Sequence, residues 1–66
     1  MKNNIRVERA IRKITQQDLA VIVGVSRQAI NAIELGKYIP STVLALKIAR
    51  FFGKSVDEIF QLDDDD

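Results

Sequence analysis

One stretch of the chain, residues 16–35 (QQDLAVIVGVSRQAINAIEL), constrains the fold more than any other, because it reads as two short helices joined by a tight turn. Apolar residues recur in it at helical spacing, which predicts helices over 16–23 and 27–35. Gly24 lies between them and can adopt the left-handed conformation that ends a helix, which a residue with a Cβ resists. Gly36 is placed to end the second helix.

Polar residues stand at both helix starts. Thr15 precedes the first helix and can accept hydrogen bonds from the free amides of its first turn. Asp18, three residues on, can reach back to the backbone of Thr15, which is a variant of the capping box. Ser26 is a good N-cap for the second helix. These local signals support the two-helix interpretation independently of the apolar spacing.

Three further helices are predicted outside this stretch. One precedes it over residues 5–13, although its apolar periodicity is imperfect. Another follows over 42–52, between the N-cap Ser41 and the helix-ending Gly53. A short fifth helix begins at the capping box SVDE, residues 55–58. Five helices in 66 residues predict a single all-α domain with a thin core.

The two central helices have distinct inner and outer sides. The residues predicted to face inward are Leu19, Ala20, Ile22, Val23, Val25, Ile30 and Ile33. On a wheel of about 100° per residue, an outer arc of about 140° on the second helix holds Arg27, Gln28, Asn31, Ala32 and Leu35. Arginine can hydrogen-bond guanine, and glutamine or asparagine can hydrogen-bond adenine. The outer side is therefore suited to reading base edges.

The whole arrangement resembles the Cro/CI (XRE-like) family of helix-turn-helix DNA-binding proteins, in its small single-domain form. The family pattern T-Q-x-x-L-A-x-x-x-G-V-S-x-x-x-I-x-x-x-E-x-G is filled at every position by Thr15, Gln16, Leu19, Ala20, Gly24, Val25, Ser26, Ile30, Glu34 and Gly36. The similarity extends to about residue 60. It implies a five-helix, lambda repressor-like domain over residues 1–62. In some small relatives a short strand at the N-terminus pairs with the C-terminal segment, and the resemblance allows this two-stranded β element here.

The resemblance also implies DNA contacts. The N-terminal residues of the second helix enter the major groove, so base contacts are predicted for Arg27, Gln28, Asn31 and Ala32. For Arg27 and Asn31 the alternative to a base contact is a phosphate contact. For Ala32 the alternative is that its small side chain only permits close approach to the DNA. Phosphate contacts are predicted for Gln16, Gln17, Ser26, Lys37 and Tyr38. A helix N-terminus favours such contacts through its free N–H groups and partial positive charge, and the alternative for Gln16 is a role in the cap alone.

Glu8 and Arg9, near the N-terminus, are informative when they are compared with the family pattern. Arg9 and Glu34 match a pair that forms a buried structural salt bridge in family members. Glu8 stands where the family usually has a leucine, which leaves the packing at this position open.

Charge is distributed unevenly along the chain. Residues 1–54 carry all ten Lys and Arg against three acidic residues, a net charge of +7, whereas residues 55–66 carry −6. A basic body with an acidic tail is typical of nucleic-acid binders, although a solvated surface needs charge as well. The run of aspartates at 63–66 is expected to be disordered and solubilising.

Composition excludes several classes of protein. With no cysteine and no histidine, the chain has neither a disulfide framework nor the usual zinc ligands, and neither a metal nor a cofactor is expected. The sequence contains no nucleophile–base pair and no glycine-rich phosphate loop, so an enzyme is not expected. With no signal peptide and no long apolar run, the protein is expected to be cytoplasmic and to have no membrane partner.

An apolar cluster near the C-terminus is larger than one small core needs. Its members are Phe51, Phe52, Val56, Ile59, Phe60 and Leu62. We interpret part of it as a two-fold dimer interface. A homodimer would place its two copies of the second helix, residues 27–35, about 34 Å apart on a pseudo-palindromic operator.

These features predict a homodimeric DNA-binding transcriptional regulator, most simply a repressor that occludes a promoter. The alternative is a protein-interaction module of the same fold, such as an antitoxin or adaptor. Loss of the polar outer side of the second helix would indicate that alternative, and here the polar side is intact.

Overall fold

Five helices form most of the structure. The computed structural model describes residues 1–66, and its elements follow the order β1 (Lys2–Asn3), α1 (Ile5–Arg12), α2 (Gln16–Val23), α3 (Arg27–Glu34), α4 (Thr42–Phe52), α5 (Val56–Ile59) and β2 (Phe60–Gln61). The strands pair antiparallel, with Lys2 opposite Gln61 and Asn3 opposite Phe60. The five-helix architecture is confirmed, as is the terminal β element. No helix is both long enough and apolar enough to cross a bilayer.

The helix ends follow the local sequence signals. Thr15 Oγ1 accepts from the Asp18 backbone N–H at 3.0 Å, and Asp18 Oδ2 accepts from the Thr15 N–H at 2.9 Å, so the capping box is complete. The hydrogen bond that the Asp18 carboxylate accepts from the Thr15 backbone, followed by its hydrogen bond with the Thr15 side chain, lowers the pKa of Asp18. Ser26 Oγ accepts from the Ala29 N–H at 3.1 Å at the start of α3. Gly24 ends α2 at φ +79°, in the left-handed region.

One core joins all five helices and β2. Its buried apolar residues are Ile5, Leu19, Ala20, Val23, Ile30, Ile33, Leu44, Ile48, Ala49, Phe52, Ile59 and Phe60. The helices α2 and α3 make the most extensive contact between any two elements. Ala20 is fully buried, which agrees with the close approach predicted from its small side chain. Residues of both helices belong to this core, which joins the α2–α3 pair to the rest of the domain.

Ile22 was predicted to face inward, but it is 51% exposed. The inner arc of α2 is filled by Leu19, Ala20 and Val23, and position 22 falls at its edge, in a cleft that Lys47 and Phe51 also line. Tertiary packing, rather than apolar character, thus decides which residues of a short helix are buried.

Glu8 occupies a core-facing position of α1, where it is only 7% exposed. Its Oε2 accepts a hydrogen bond from Lys54 Nζ at 2.8 Å, and this pair raises the pKa of Lys54. An ion pair between α1 and the segment after α4 therefore stands where the family usually has apolar packing. Because its partner lies 46 residues away, the pairing was not evident in the sequence.

Three of the six predicted interface residues are buried in the single chain, so the part of this cluster that could form the predicted interface is limited to the other three. Phe52, Ile59 and Phe60 are 3%, 0% and 6% exposed and belong to the core. They have little surface left to offer a partner, because they are packed in the core that all five helices and β2 share. Among the predicted residues, Phe51 and Val56 are half-buried, and Leu62 is exposed.

The acidic tail contacts the N-terminus. The Met1 ammonium lies 2.9 Å from a carboxylate oxygen of Asp63 and 3.3 Å from one of Asp66. The hydrogen bond to Asp63, followed by that to Asp66, raises the pKa of the ammonium. These contacts offset part of the tail's negative charge. The disorder expected for residues 63–66 concerns mobility in solution and stays a prediction.

We predict that stability falls as pH drops below about 4, because protonation breaks the capping box of α2. The pKa of Asp18 is lower in the folded state, so the stabilisation is present above the unfolded pKa of about 3.9 and is lost as pH falls through the folded value. Urea unfolding of wild type and Asp18→Ala at pH 7 and pH 3 measures this loss. The variant should show a smaller decline than wild type. Asp64→Ala, at an exposed residue without hydrogen bonds in the chain, is the control and should follow wild type. Equal declines in Asp18→Ala and wild type would contradict the prediction.

Candidate nucleic-acid interface

The helix α3 has one buried side and one exposed polar side. Ile30 and Ile33 are 0% and 1% exposed and fix the helix to the core. On the opposite side, Arg27, Gln28 and Asn31 are exposed to solvent, whereas Ala32 is half-buried. Leu35, directly after the helix, is 59% exposed. The structure thus presents the three long polar side chains predicted to contact bases on one accessible surface.

An ion pair lies directly behind this surface. Arg9 donates two hydrogen bonds to Glu34, from Nε to Oε2 at 2.7 Å and from Nη2 to Oε1 at 2.9 Å. The remaining Nη1 donates to the Ile14 carbonyl at 3.1 Å. The Glu34 side chain is only 5% exposed, and its hydrogen bonds and charge raise the pKa of Arg9. One guanidinium therefore holds the end of α3, the helix α1 and the segment that leads into α2.

Gln16 connects the ion pair to the exposed surface. Its Nε2 donates to Glu34 Oε1 at 3.3 Å and to Asn31 Oδ1 at 3.1 Å, and its Oε1 accepts from Arg27 Nη1 at 3.4 Å. A side-chain amide has two donor hydrogens, and here both are used. A phosphate contact by this side chain would have to replace one of these bonds. The sequence pattern did not show this network, because its members are 11 to 18 residues apart.

The predicted phosphate contacts lie at three places in the chain: the first turn of α2, Ser26 before α3, and the segment after α3. At the first turn of α2, the backbone N–H groups of Gln16 and Gln17 have no acceptor in the chain, since the cap takes only the N–H of Asp18. Ser26 is exposed and caps α3 through its oxygen, so its hydroxyl hydrogen is still free to donate. Lys37 and Tyr38 follow α3 and are both exposed. These segments therefore carry donors on either side of α3 in the sequence.

Two apolar surfaces lie away from the polar face of α3. Ile39 and Leu46, 61% and 54% exposed, line a groove together with Met1 and Val56, which we call the Ile39–Leu46 groove. Phe51 is in a separate cleft, where the Arg12 guanidinium lies 5.2 Å from its ring centroid. The predicted interface residues Phe51 and Val56 therefore lie in different clefts. Ile39 and Leu46 were missed, because nothing in their spacing distinguishes them from core residues.

The fold and the polar face of α3 together define a helix-turn-helix protein. The helix-turn-helix family model HTH_3 matches residues 5–59, and the chain belongs to this Cro/CI-like (XRE-like) family. It is 54% identical over 66 residues to an uncharacterized HTH-type transcriptional regulator of Methanocaldococcus jannaschii, covering 100% of both chains. It is 42% identical over 65 residues to the uncharacterized HTH-type transcriptional regulator YgzD of Bacillus subtilis, covering 98% of each. A Methanothermobacter thermautotrophicus protein that carries the same description is 47% identical over 66 residues, covering 98% of this chain and 96% of its own.

We predict that removing one partner of the Arg9–Glu34 pair destabilises the fold more than removing both. A single change leaves a desolvated charge without its counter-charge, at a cost of roughly 3–5 kcal/mol, whereas replacing both with apolar side chains costs less. Urea unfolding of Arg9→Met, Glu34→Leu and the double variant at pH 7 measures this difference. If the loss in free energy of unfolding of the double variant equals the sum of the two single losses, the two residues are not coupled.

Proposed function

We propose that this protein is a sequence-specific regulator of transcription that binds double-stranded DNA as a homodimer and acts in the cytoplasm as a repressor. The observation that carries the proposal is the exposed polar side of α3, formed by Arg27, Gln28 and Asn31 and backed by a buried apolar side. The N-terminal residues of such a helix enter the major groove and contact base edges. The membership in the helix-turn-helix family and the names of the relatives support the same class of function.

Base and phosphate contacts have separate roles in this proposal. Arg27, Gln28 and Asn31 read bases, with Ala32 allowing close approach. The predicted phosphate donors fix the position of α3 along the groove without reading sequence; they are the first turn of α2 at Gln16 and Gln17, together with Ser26, Lys37 and Tyr38. The net charge of +7 on residues 1–54 attracts the phosphate backbone at long range.

The dimer is proposed to form through the Ile39–Leu46 groove, which includes Val56 from the predicted interface residues. Leu62, after β2, is 75% exposed, and Val43, on α4, is 62% exposed. Further large apolar side chains of the single chain therefore remain uncovered. Exposed apolar area of this kind is stabilised when a second copy covers it. An isologous dimer would present two copies of α3 to successive major grooves about 34 Å apart.

A binding titration tests the function as a whole. The duplex upstream of the protein's own gene is compared with a scrambled duplex at two salt concentrations by fluorescence anisotropy. A preference of about a thousandfold or more, the low end for specific readers, is expected for an operator. Weak, equal and salt-sensitive binding to both duplexes would indicate that the operator lies in other DNA, or would favour the protein-interaction alternative of an antitoxin or adaptor.

We predict opposite signatures for Gln28→Ala and Lys37→Ala. Loss of the base-reading Gln28 should cost roughly 1–3 kcal/mol on the operator and little on scrambled DNA. Loss of Lys37 should weaken both duplexes alike and reduce the slope of log affinity against log salt by about one. Anisotropy titrations over a salt series measure both effects. An unchanged slope in Lys37→Ala would remove it from the phosphate contacts, and equal losses on both duplexes in Gln28→Ala would remove that residue from base reading.

We predict that Leu46→Asp converts the dimer to a folded monomer, because it places a charge in the middle of the proposed apolar interface. Sedimentation velocity measures the molecular mass, and circular dichroism checks the fold. Val21→Asp is the matched control, since Val21 is 70% exposed and lies outside the groove. A dimer that persists in Leu46→Asp would place the interface on another surface, with the Phe51 cleft as the next candidate.

A further inference from the structure

The hydrogen bonds of Gln16 determine which donors and acceptors α3 presents to DNA. This inference rests on the proposed DNA-binding function and concerns the bases that the same site recognises. Its starting point is Glu34, whose carboxylate is fixed by two hydrogen bonds from Arg9 and can only accept. The atom of Gln16 that faces Glu34 Oε1 at 3.3 Å must therefore be the amide nitrogen.

A second neighbour requires the same orientation of the Gln16 amide. Arg27 can only donate, so the atom of Gln16 that lies 3.4 Å from its Nη1 must be the amide oxygen. The orientation is thus set from both sides, by an acceptor and by a donor that cannot exchange roles. Two independent partners therefore select one of the two possible orientations of the Gln16 amide, although its nitrogen and oxygen have nearly the same shape.

The orientation of Gln16 fixes that of Asn31 in turn. Gln16 Nε2 approaches Asn31 at 3.1 Å, and a nitrogen donor must meet the amide oxygen of Asn31. The Nδ2 group of Asn31, on the other branch of the planar amide, has no hydrogen-bond partner in the chain. Asn31 therefore offers DNA its two N–H donors, whereas its acceptor is turned toward α2.

Arg27 contributes the same polarity one turn earlier on α3. One of its N–H groups is directed to Gln16, and the others have no acceptor in the chain. The exposed side chain and that of Asn31 lie four residues apart, on the same side of the helix. Arg27 and Asn31 consequently both present donors to the groove.

We propose that the Arg9–Glu34–Gln16 network makes α3 a reader of keto bases, with guanine opposite Arg27 and guanine or thymine opposite Asn31. Guanine offers the acceptors N7 and O6 in the major groove, and thymine offers O4. Cytosine offers only an amino group there, and adenine offers the single acceptor N7 beside an amino group that would face the second N–H donor of Asn31. Free asparagine reads adenine through one donor and one acceptor, so the network changes the preference that the residue type alone suggests.

Selection of duplexes from a randomised library tests the proposal. Wild type, Arg27→Ala and Asn31→Ala are each used, and the positions whose preference disappears in each variant identify the bases that each residue reads. Keto bases at both positions, preferred about tenfold or more, support the proposal. Adenine or cytosine at the position that depends on Asn31 overturns it and leaves the DNA-binding function intact. A wild-type selection that enriches no motif overturns both.

Variants at position 16 test the network itself. In Gln16→Glu the new carboxylate can only accept, so Asn31 should turn its nitrogen toward position 16 and its oxygen toward DNA. The preference at that position should then change from guanine or thymine to adenine or cytosine. Val21→Glu, at a residue of α2 that is 70% exposed and outside the proposed DNA contacts, adds the same negative charge and should keep the wild-type motif. Gln16→Ala, which avoids a new charge beside Glu34, should broaden the preference at this position to include adenine. Wild-type keto preference in folded Gln16→Ala and Gln16→Glu would overturn the proposal.

Discussion

The ion pair between Arg9 and Glu34 is the interaction on which the proposed DNA-binding surface depends. It uses all three nitrogens of one guanidinium, two on the carboxylate and one on the Ile14 carbonyl, so α1, the segment after it and the end of α3 meet at this pair. Burying such a pair is costly unless every lone pair and hydrogen finds a partner. Here each buried side-chain nitrogen and oxygen has at least one hydrogen bond. The pair therefore fixes geometry at the end of α3 without leaving a buried charge unsatisfied.

The small core explains why polar interactions have such weight in this domain. Twelve apolar residues are buried, and six of them are fully enclosed large side chains. In a domain of this size the margin of stability is only a few kcal/mol, so caps and ion pairs are significant parts of it. The Glu8–Lys54 pair illustrates this, because it connects α1 to the segment after α4 at a position that apolar packing could also fill.

Features encoded by neighbouring residues were predicted well from the sequence. The capping box at Thr15, the left-handed Gly24 and the separation of polar and apolar sides on α3 all depend on residues a few positions apart. The sequence was less informative about Ile22 and Phe52, because both are large and apolar, and only the three-dimensional arrangement shows that the first is exposed and the second buried. The contacts of Gln16 could not be predicted for a related reason. A glutamine can donate or accept, and its partners are known only once α2 and α3 are in place.

The pairing of β1 with β2 links the two ends of the fold to α3. Asn3 pairs with Phe60 in the sheet, and its side-chain amide donates to the carbonyl of Ile33 at 2.8 Å. The residues joined by this sheet are almost a full chain length apart, so the loop-closure entropy of this contact is large, whereas α2 and α3 meet through a three-residue turn. We therefore expect the helical pair to form early in folding and the sheet to form late. The last step of folding would then be the one that secures the C-terminal end of α3.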